Sequence, residues 1–210
     1  MKVETLVLGE FQTNCYVVTS ESSKTAVIVD APEPAEPIVR YLEKSGLTAE
    51  VVVVTHAHFD HIAGIPALRK AFPEIKVAAS SRAGGMLRRP TMNLSLFLAR
   101  PAKYPAPDVK LEDGETLTAG GCEFCVISLD GHSPGSVCLL SSGDPAEIFT
   151  GDTLFAGGIG RTDLPGGNTK DLLEGIHKRI MTLSDETVVY SGHGPKTTVG
   201  EERSNPFLVG

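Results

Sequence analysis

Apolar residues in this chain fall in short runs rather than long helical stripes. Val3 to Leu8, Cys15 to Thr19 and Ala26 to Asp30 read as three strands parted by turn residues. Pro37 to Lys44 carries helical spacing through Ile38, Tyr41 and Leu42 and stops at Gly46. Val51-Val52-Val53-Val54 shows no alternation, which predicts a strand covered on both faces. An amphipathic helix is predicted over Ile62 to Phe72, ended by Pro73, then a strand over Lys76 to Ala79 and a helix from Arg82 to Arg89, up to Pro90. Leu94 to Leu98 reads as helical core, and Pro101 to Pro107 as a connection.

The second half returns to strands around Val109, Leu117, Cys122 to Ser128, Ser136 to Leu140 and Glu147 to Thr150. A helix over Lys170 to Leu183 and a last strand, Thr187 to Tyr190, follow. Each half is strands followed by helices, which predicts two packed sheets with helices outside. There is no internal repeat and no low-complexity segment.

Composition narrows the partners. The chain has 210 residues, the length of one domain able to bury a substantial core, with 41% hydrophobic and 21% charged residues. A net charge of -7 argues against a nucleic-acid partner, whose phosphates favour a basic face. The N-terminus has no signal-peptide core and no run approaches the ~20 apolar residues of a membrane span, so a cytoplasmic location is expected. No pattern specifies an oligomeric state. Cys15, Cys122, Cys125 and Cys138 are expected to be buried, inert thiols; Cys122 and Cys125 face opposite sides of a strand.

The candidate chemistry sits where the uninterrupted valine run ends. Thr55-His56-Ala57-His58-Phe59-Asp60-His61 places metal-competent side chains at 56, 58, 60 and 61. In extended backbone, His56, His58 and Asp60 project to one side, and the change to helical periodicity after Asp60 re-aims His61. The strand-end pattern recurs at Asp130-Gly131-His132, Thr150-Gly151-Asp152 and Ser191-Gly192-His193. Five of the six histidines lie at such positions, and only His177 sits in a helix, as a surface residue. Two sites follow if Asp152 bridges: His56, His58 and His132 on one ion, Asp60, His61 and His193 on the other. Neutral imidazole and carboxylate suit zinc, and also iron or manganese. Asp30, at the end of the third strand, reads either as a partner for a ligand's second ring nitrogen or as the start of a turn.

This set resembles the metallo-β-lactamase superfamily, through His56-x-His58-x-Asp60-His61 followed in order by His132, Asp152 and His193. The resemblance implies a four-layer αβ/βα sandwich with two divalent metal ions at one edge of the two sheets. Aspartate at 152, with the string Gly151 to Asn168 and the tail Gly192-His193-Gly194-Pro195 and Glu201 to Phe207, is similar to short, single-domain glyoxalase II-like hydrolases. That implies a single domain over 1–210 without a helical C-terminal domain. It also implies a small-molecule hydroxyacyl-thioester substrate, S-D-lactoylglutathione being the reference, attacked by a metal-bridging hydroxide. Asp60 and Asp152 are the expected catalytic carboxylates and Arg161 the substrate contact, with an ion pair to Asp163 as its structural alternative. The rival implied by the Gly160-Arg161-Thr162-Asp163 string is a mononuclear-iron persulfide dioxygenase using His58, His132 and Asp152. Pro195 stands where the family has a tyrosine, so substrate grip is expected from the 156–168 loop and from 82–103, which reads as a lid or as a solvent-facing helical surface.

Overall fold

The computed structural model describes residues 1–209. The first sheet comprises β1 (Lys2–Leu8), β2 (Thr13–Thr19), β3 (Thr25–Val29), β4 (Thr48–Val53), β5 (Lys76–Ser80) and β6 (Val109–Leu111), hydrogen-bonded in that order. β1 to β3 are antiparallel and β3 to β6 parallel. The parallel crossovers carry α1 (Glu36–Ser45), α2 (Phe59–Ile62), α3 (Ile65–Ala71) and α4 (Ser81–Leu87). The second half adds β7 (Thr116–Ala119), β8 (Cys122–Ser128), β9 (Val137–Ser141), β10 (Glu147–Gly151), the hairpin β11 (Leu154–Phe155) and β12 (Gly158–Ile159), α5 (Thr169–Gly175), β13 (Val188–Ser191), β14 (Thr197–Thr198) and α6 (Val199–Glu202). Its sheet runs β14-β13-β10-β9-β8-β7, with β10 and β13 parallel.

Strand alternation builds the layers. Val51 and Val53 of β4 point into the space between the sheets, while Val52 and Val54 point at α1 and α3. β3 divides likewise, Val27 and Val29 inward, Ala26 and Ile28 outward. The second sheet contributes Phe124, Val126, Leu139 and Phe149 to the central core, and turns Ile127, Cys138, Ile148 and Val189 toward Leu172, Ile176 and Ile180. Three apolar cores between four layers give the expected αβ/βα sandwich. This explains why the valine run lacks polar positions: both of its faces are covered. Among the described residues no helix is long and apolar enough to cross a membrane.

Four local expectations are corrected. The helix expected over Ile62 to Phe72 is two pieces, broken at Ala63-Gly64. Gly64 donates its N–H to the Ala31 carbonyl at 2.8 Å, and a Cβ there would lie 2.4 Å from the Pro32 oxygen. Pro66, with no N–H to give, then opens the next helix. Leu94 to Leu98 is neither helical nor core, with Leu96 and Phe97 47% and 68% exposed. The buried Asn93 amide donates to the Leu87 and Ala102 carbonyls and accepts from Ser95 N–H, closing a local turn that competes with a helix. The 170–183 helix is α-helical only through Gly175 and continues as a π turn, Ile176–Ile180. Cys15 and Cys138 are buried, but Cys122 is half-buried at the start of β8, at the margin of the core that holds Phe124 and Val126, and Cys125 is exposed on the opposite face.

The central core should be the most sensitive place in the fold. Phe149 is fully buried, stacked on Tyr190 at 5.0 Å and edge-on to Tyr16 at 5.3 Å. Phe149→Ala is expected to cost about 3–5 kcal/mol, read in urea unfolding of chelator-treated protein as a lowered midpoint at unchanged slope.

Candidate metal centre

The site forms along the edge where β4, β8, β10 and β13 end. Backbone bonds tie these ends together: Val137 N–H to the Thr55 carbonyl at 2.8 Å, Gly192 N–H to Gly151 at 2.8 Å and Asn14 N–H to Gly192 at 2.7 Å. The Asn14 side chain adds bonds to the carbonyls of Ser191 and Gly194, both 2.9 Å. All seven side chains expected at the centre converge here, although they span residues 56 to 193. His56, His58, His61 and His132 are 0–3% exposed. Asp152 is 13% exposed, Asp60 20% and His193 28%, so the open side lies at these last two.

Two triads result. His132 Nε2 lies 3.2 Å from His56 Nε2 and 2.9 Å from His58 Nδ1. His61 Nε2 lies 3.3 Å from His193 Nε2 and 3.4 Å from Asp60 Oδ2. Asp152 stands between them, Oδ1 3.4 Å from His61 Nε2 and Oδ2 3.5 Å and 3.6 Å from Nε2 of His193 and His132. The first triad, and Asp60 with His61 and His193, each offer ligand atoms within 4.8 Å of one another.

The outer ring nitrogens fix the tautomers. His61 Nδ1 donates to Asp30 Oδ2 at 2.7 Å, His132 Nδ1 to the Arg161 carbonyl at 2.8 Å, and His193 Nδ1 to the Phe11 carbonyl at 3.0 Å. Thr55 gives its hydroxyl hydrogen to Asp30 at 2.7 Å, so its oxygen accepts from His56 Nδ1 at 3.1 Å. Each Nε2 of a neutral ring is then a bare lone pair turned on another. His58 turns its Nδ1 on His132 Nε2 at 2.9 Å, and the buried Asp152 Oδ1 has no hydrogen-bond partner. Such opposed acceptors are costly unless a cation lies among them; the donor set therefore fits divalent metals.

Protons show how differently the two triads are biased. Burial and the neighbouring rings push His56 well below the ordinary imidazole range, and burial with His132 takes His58 to about 3. Burial also lowers His132. Burial opposes charge on His61 and His193 too, but Asp60, Asp152 and, for His61, Asp30 raise both, His193 to about 10. Asp60 falls to about 2 despite its burial because His61 and His193 face it.

Asp30 holds the second ring nitrogen of His61 rather than serving as a simple turn residue. It lies at φ 58°, buried, and accepts from Thr55 N–H and the Thr55 hydroxyl as well as from His61. The Arg161 guanidinium makes a two-pronged ion pair with Asp163, both contacts 2.7 Å, and only its backbone carbonyl enters the site. His177 lies in the π turn, away from the cluster. Several contributors carried no sequence signal of a role at the site. Thr13 donates its hydroxyl to Asp60 at 3.0 Å, and Phe11 acts through its carbonyl. Buried Glu202 accepts from Gly157 N–H at 3.0 Å, Thr197 at 2.8 Å and Asn205 at 2.8 Å, tethering the β11–β12 hairpin that leads to Arg161 and sets Phe155 6.2 Å from the His193 ring. The 156–168 loop does not line the adjoining cavity of about 530 Å³, whereas Leu98 and Arg100 of 82–103 do.

Comparison with known proteins agrees with this geometry. A family model described as the metallo-beta-lactamase superfamily matches residues 8–193. The chain is 33% identical over 219 residues to a Haemophilus influenzae protein named hydroxyacylglutathione hydrolase GloC, covering 99% of this chain and 98% of that one. It superposes with a TM-score of 0.93 on the crystal structure of BLEG-1 B3 metallo-beta-lactamase, 41% identical with both chains covered in full. TTHA1623 in a di-iron-bound form gives 0.86 at 34% identity, over 98% of this chain and 100% of that one.

Packing in the site leaves no room at Gly192, where a Cβ would stand 2.2 Å from Asp152 Oδ1 and 2.8 Å from His61 Cε1. Gly192→Ala is expected to displace that carboxylate and lower bound divalent metal per chain, by elemental analysis, while the far-ultraviolet circular dichroism is kept.

Proposed function

The chain belongs to the metallo-beta-lactamase superfamily, and we propose that it is a dinuclear metal hydrolase of hydroxyacyl thioesters, with S-D-lactoylglutathione as reference substrate. The observation that carries this reading is the pair of triads sharing Asp152, with ring nitrogens turned on one another. The named activity of the Haemophilus influenzae relative supports the substrate class. His56, His58 and His132 would hold one ion, and Asp60, His61 and His193 the other, with Asp152 common to both. We assign the whole of 1–210 to one domain. The nitrogen and oxygen donors favour zinc and admit iron or manganese.

When bound, the two ions supply a water made acidic enough to give hydroxide near neutral pH and a counter-charge for the carbonyl oxygen. The protein does the rest. Asp30, Thr55, the Arg161 carbonyl and the Phe11 carbonyl hold the four rings with Nε2 inward. Asp60, held by Thr13 and partly open to solvent, accepts the proton of the attacking water at its carboxylate. Asp152 couples the two triads. His193, the most exposed of the seven, marks the side on which the acyl group arrives. A thiolate departs without a general acid, which favours a thioester over an amide or ester.

Metal-loaded protein should release thiol from S-D-lactoylglutathione. The activity should be lost on chelation, regained with zinc, and reduced to background in His132→Ala. Oxygen uptake with glutathione persulfide, without thioester cleavage, would replace this reaction with the iron dioxygenase. Metal uptake should also depend on pH in a position-specific way. His61 and His193 carry raised pKa values, so at neutral pH their protons must leave before an ion binds there, and affinity falls as pH falls. His56, His58 and His132 have lowered values and hold no such protons. Calorimetry in buffers of different ionisation enthalpy should show proton release with one equivalent of zinc and little with the other.

A further inference from the structure

The cavity beside the metal centre has a character that bears on the thiol half of the substrate. It holds about 530 Å³ and reaches the site at Asp60 and Thr13, the latter already bonded to that carboxylate. Its apolar surface comes from Phe11, Phe59 and Leu98. Its charge comes from Glu10, Glu33 and Glu36, with Arg100 the one basic residue lining it. That arginine is not free: its guanidinium donates to Glu33 at 2.5 Å. The second arginine near the centre, Arg161, is likewise tied to an acid, Asp163. A carrier entering this cavity meets apolar surface and uncompensated negative charge.

We propose that this cavity receives the thiol carrier and selects a neutral or amine-bearing, largely apolar one over a carrier with free carboxylates such as glutathione. The inference rests on the thioesterase reading and specifies its leaving group. Binding glutathione, whose two carboxylates outnumber its one ammonium, would bring carboxylates beside Glu10 and Glu36 with no unpaired arginine to offset them, and like charges at partly exposed positions repel. A neutral carrier would instead gain contact with Phe11, Phe59 and Leu98. Because the acids are exposed or half-buried, the discrimination is electrostatic and screenable. It acts on binding, and therefore on KM, with the acyl group and the attacking water unchanged.

The test compares one acyl group, D-lactoyl, on three thiols: glutathione, N-acetylcysteamine and N,N-dimethylcysteamine, whose tertiary amine cannot capture the acyl group. The neutral and cationic thioesters should exceed the glutathione one in kcat/KM by roughly tenfold or more at low salt, about 1.4 kcal/mol in transition-state terms. The difference should lie mainly in KM and shrink as ionic strength rises. A Glu10→Lys, Glu36→Lys double variant should move the preference toward glutathione. The same carriers as non-hydrolysable thioethers, titrated into metal-loaded protein, should bind in the same order. A glutathione thioester that is preferred, or a preference that neither salt nor the charge reversal moves, overturns the proposal. If no thioester is cleaved yet the thioethers bind in the expected order, the cavity assignment stands and the thioesterase reading falls. If the thioethers bind in the reverse order or not at all, the cavity assignment falls.

Discussion

Imidazole nitrogens forced to face one another are the constraint on which this structure turns. Each outer nitrogen of four rings is committed to an oxygen of the protein, so the inner nitrogens are directed into a common space and are lone pairs wherever the ring is neutral. A buried arrangement of acceptors cannot satisfy itself. It persists because the surrounding fold is strong enough to hold it and because a cation resolves it. Three apolar cores supply that strength, each between layers that also set the strand ends from which the seven side chains project.

The two triads are not equivalent, and the reason is the placement of carboxylates. In one, three rings face mainly one another and Asp152, and burial keeps them neutral. The other is interleaved with Asp60, Asp152 and Asp30, which favour positive charge there. Asp152 is the common member, so a change at either triad is felt by the other through one carboxylate.

Much of this was legible along the chain. The run Val51 to Val54 foretold a doubly covered strand, and histidines or aspartates just past apolar runs foretold convergence at one sheet edge. The less regular parts escaped because their causes are tertiary. The break at Gly64 comes from the approach of the Ala31-Pro32 backbone, distant in sequence. The exposed turn at 94–98 follows from where the buried Asn93 amide finds its carbonyls. Phe11 and Arg161 act on the site through peptide oxygens, which side-chain patterns do not reveal. Glu202 lies among ordinary helix residues, and only the folded chain shows its carboxylate gripping the hairpin before Arg161.

The carbonyl of residue 161 has a further implication. Position 161 supports a ring with its peptide while its side chain leans outward to Asp163. What the position contributes to the site is thus a peptide oxygen, and its side chain takes no part in holding the ring. Almost any L-amino acid could supply that oxygen, so the identity of residue 161 can drift while the imidazole it steadies stays put.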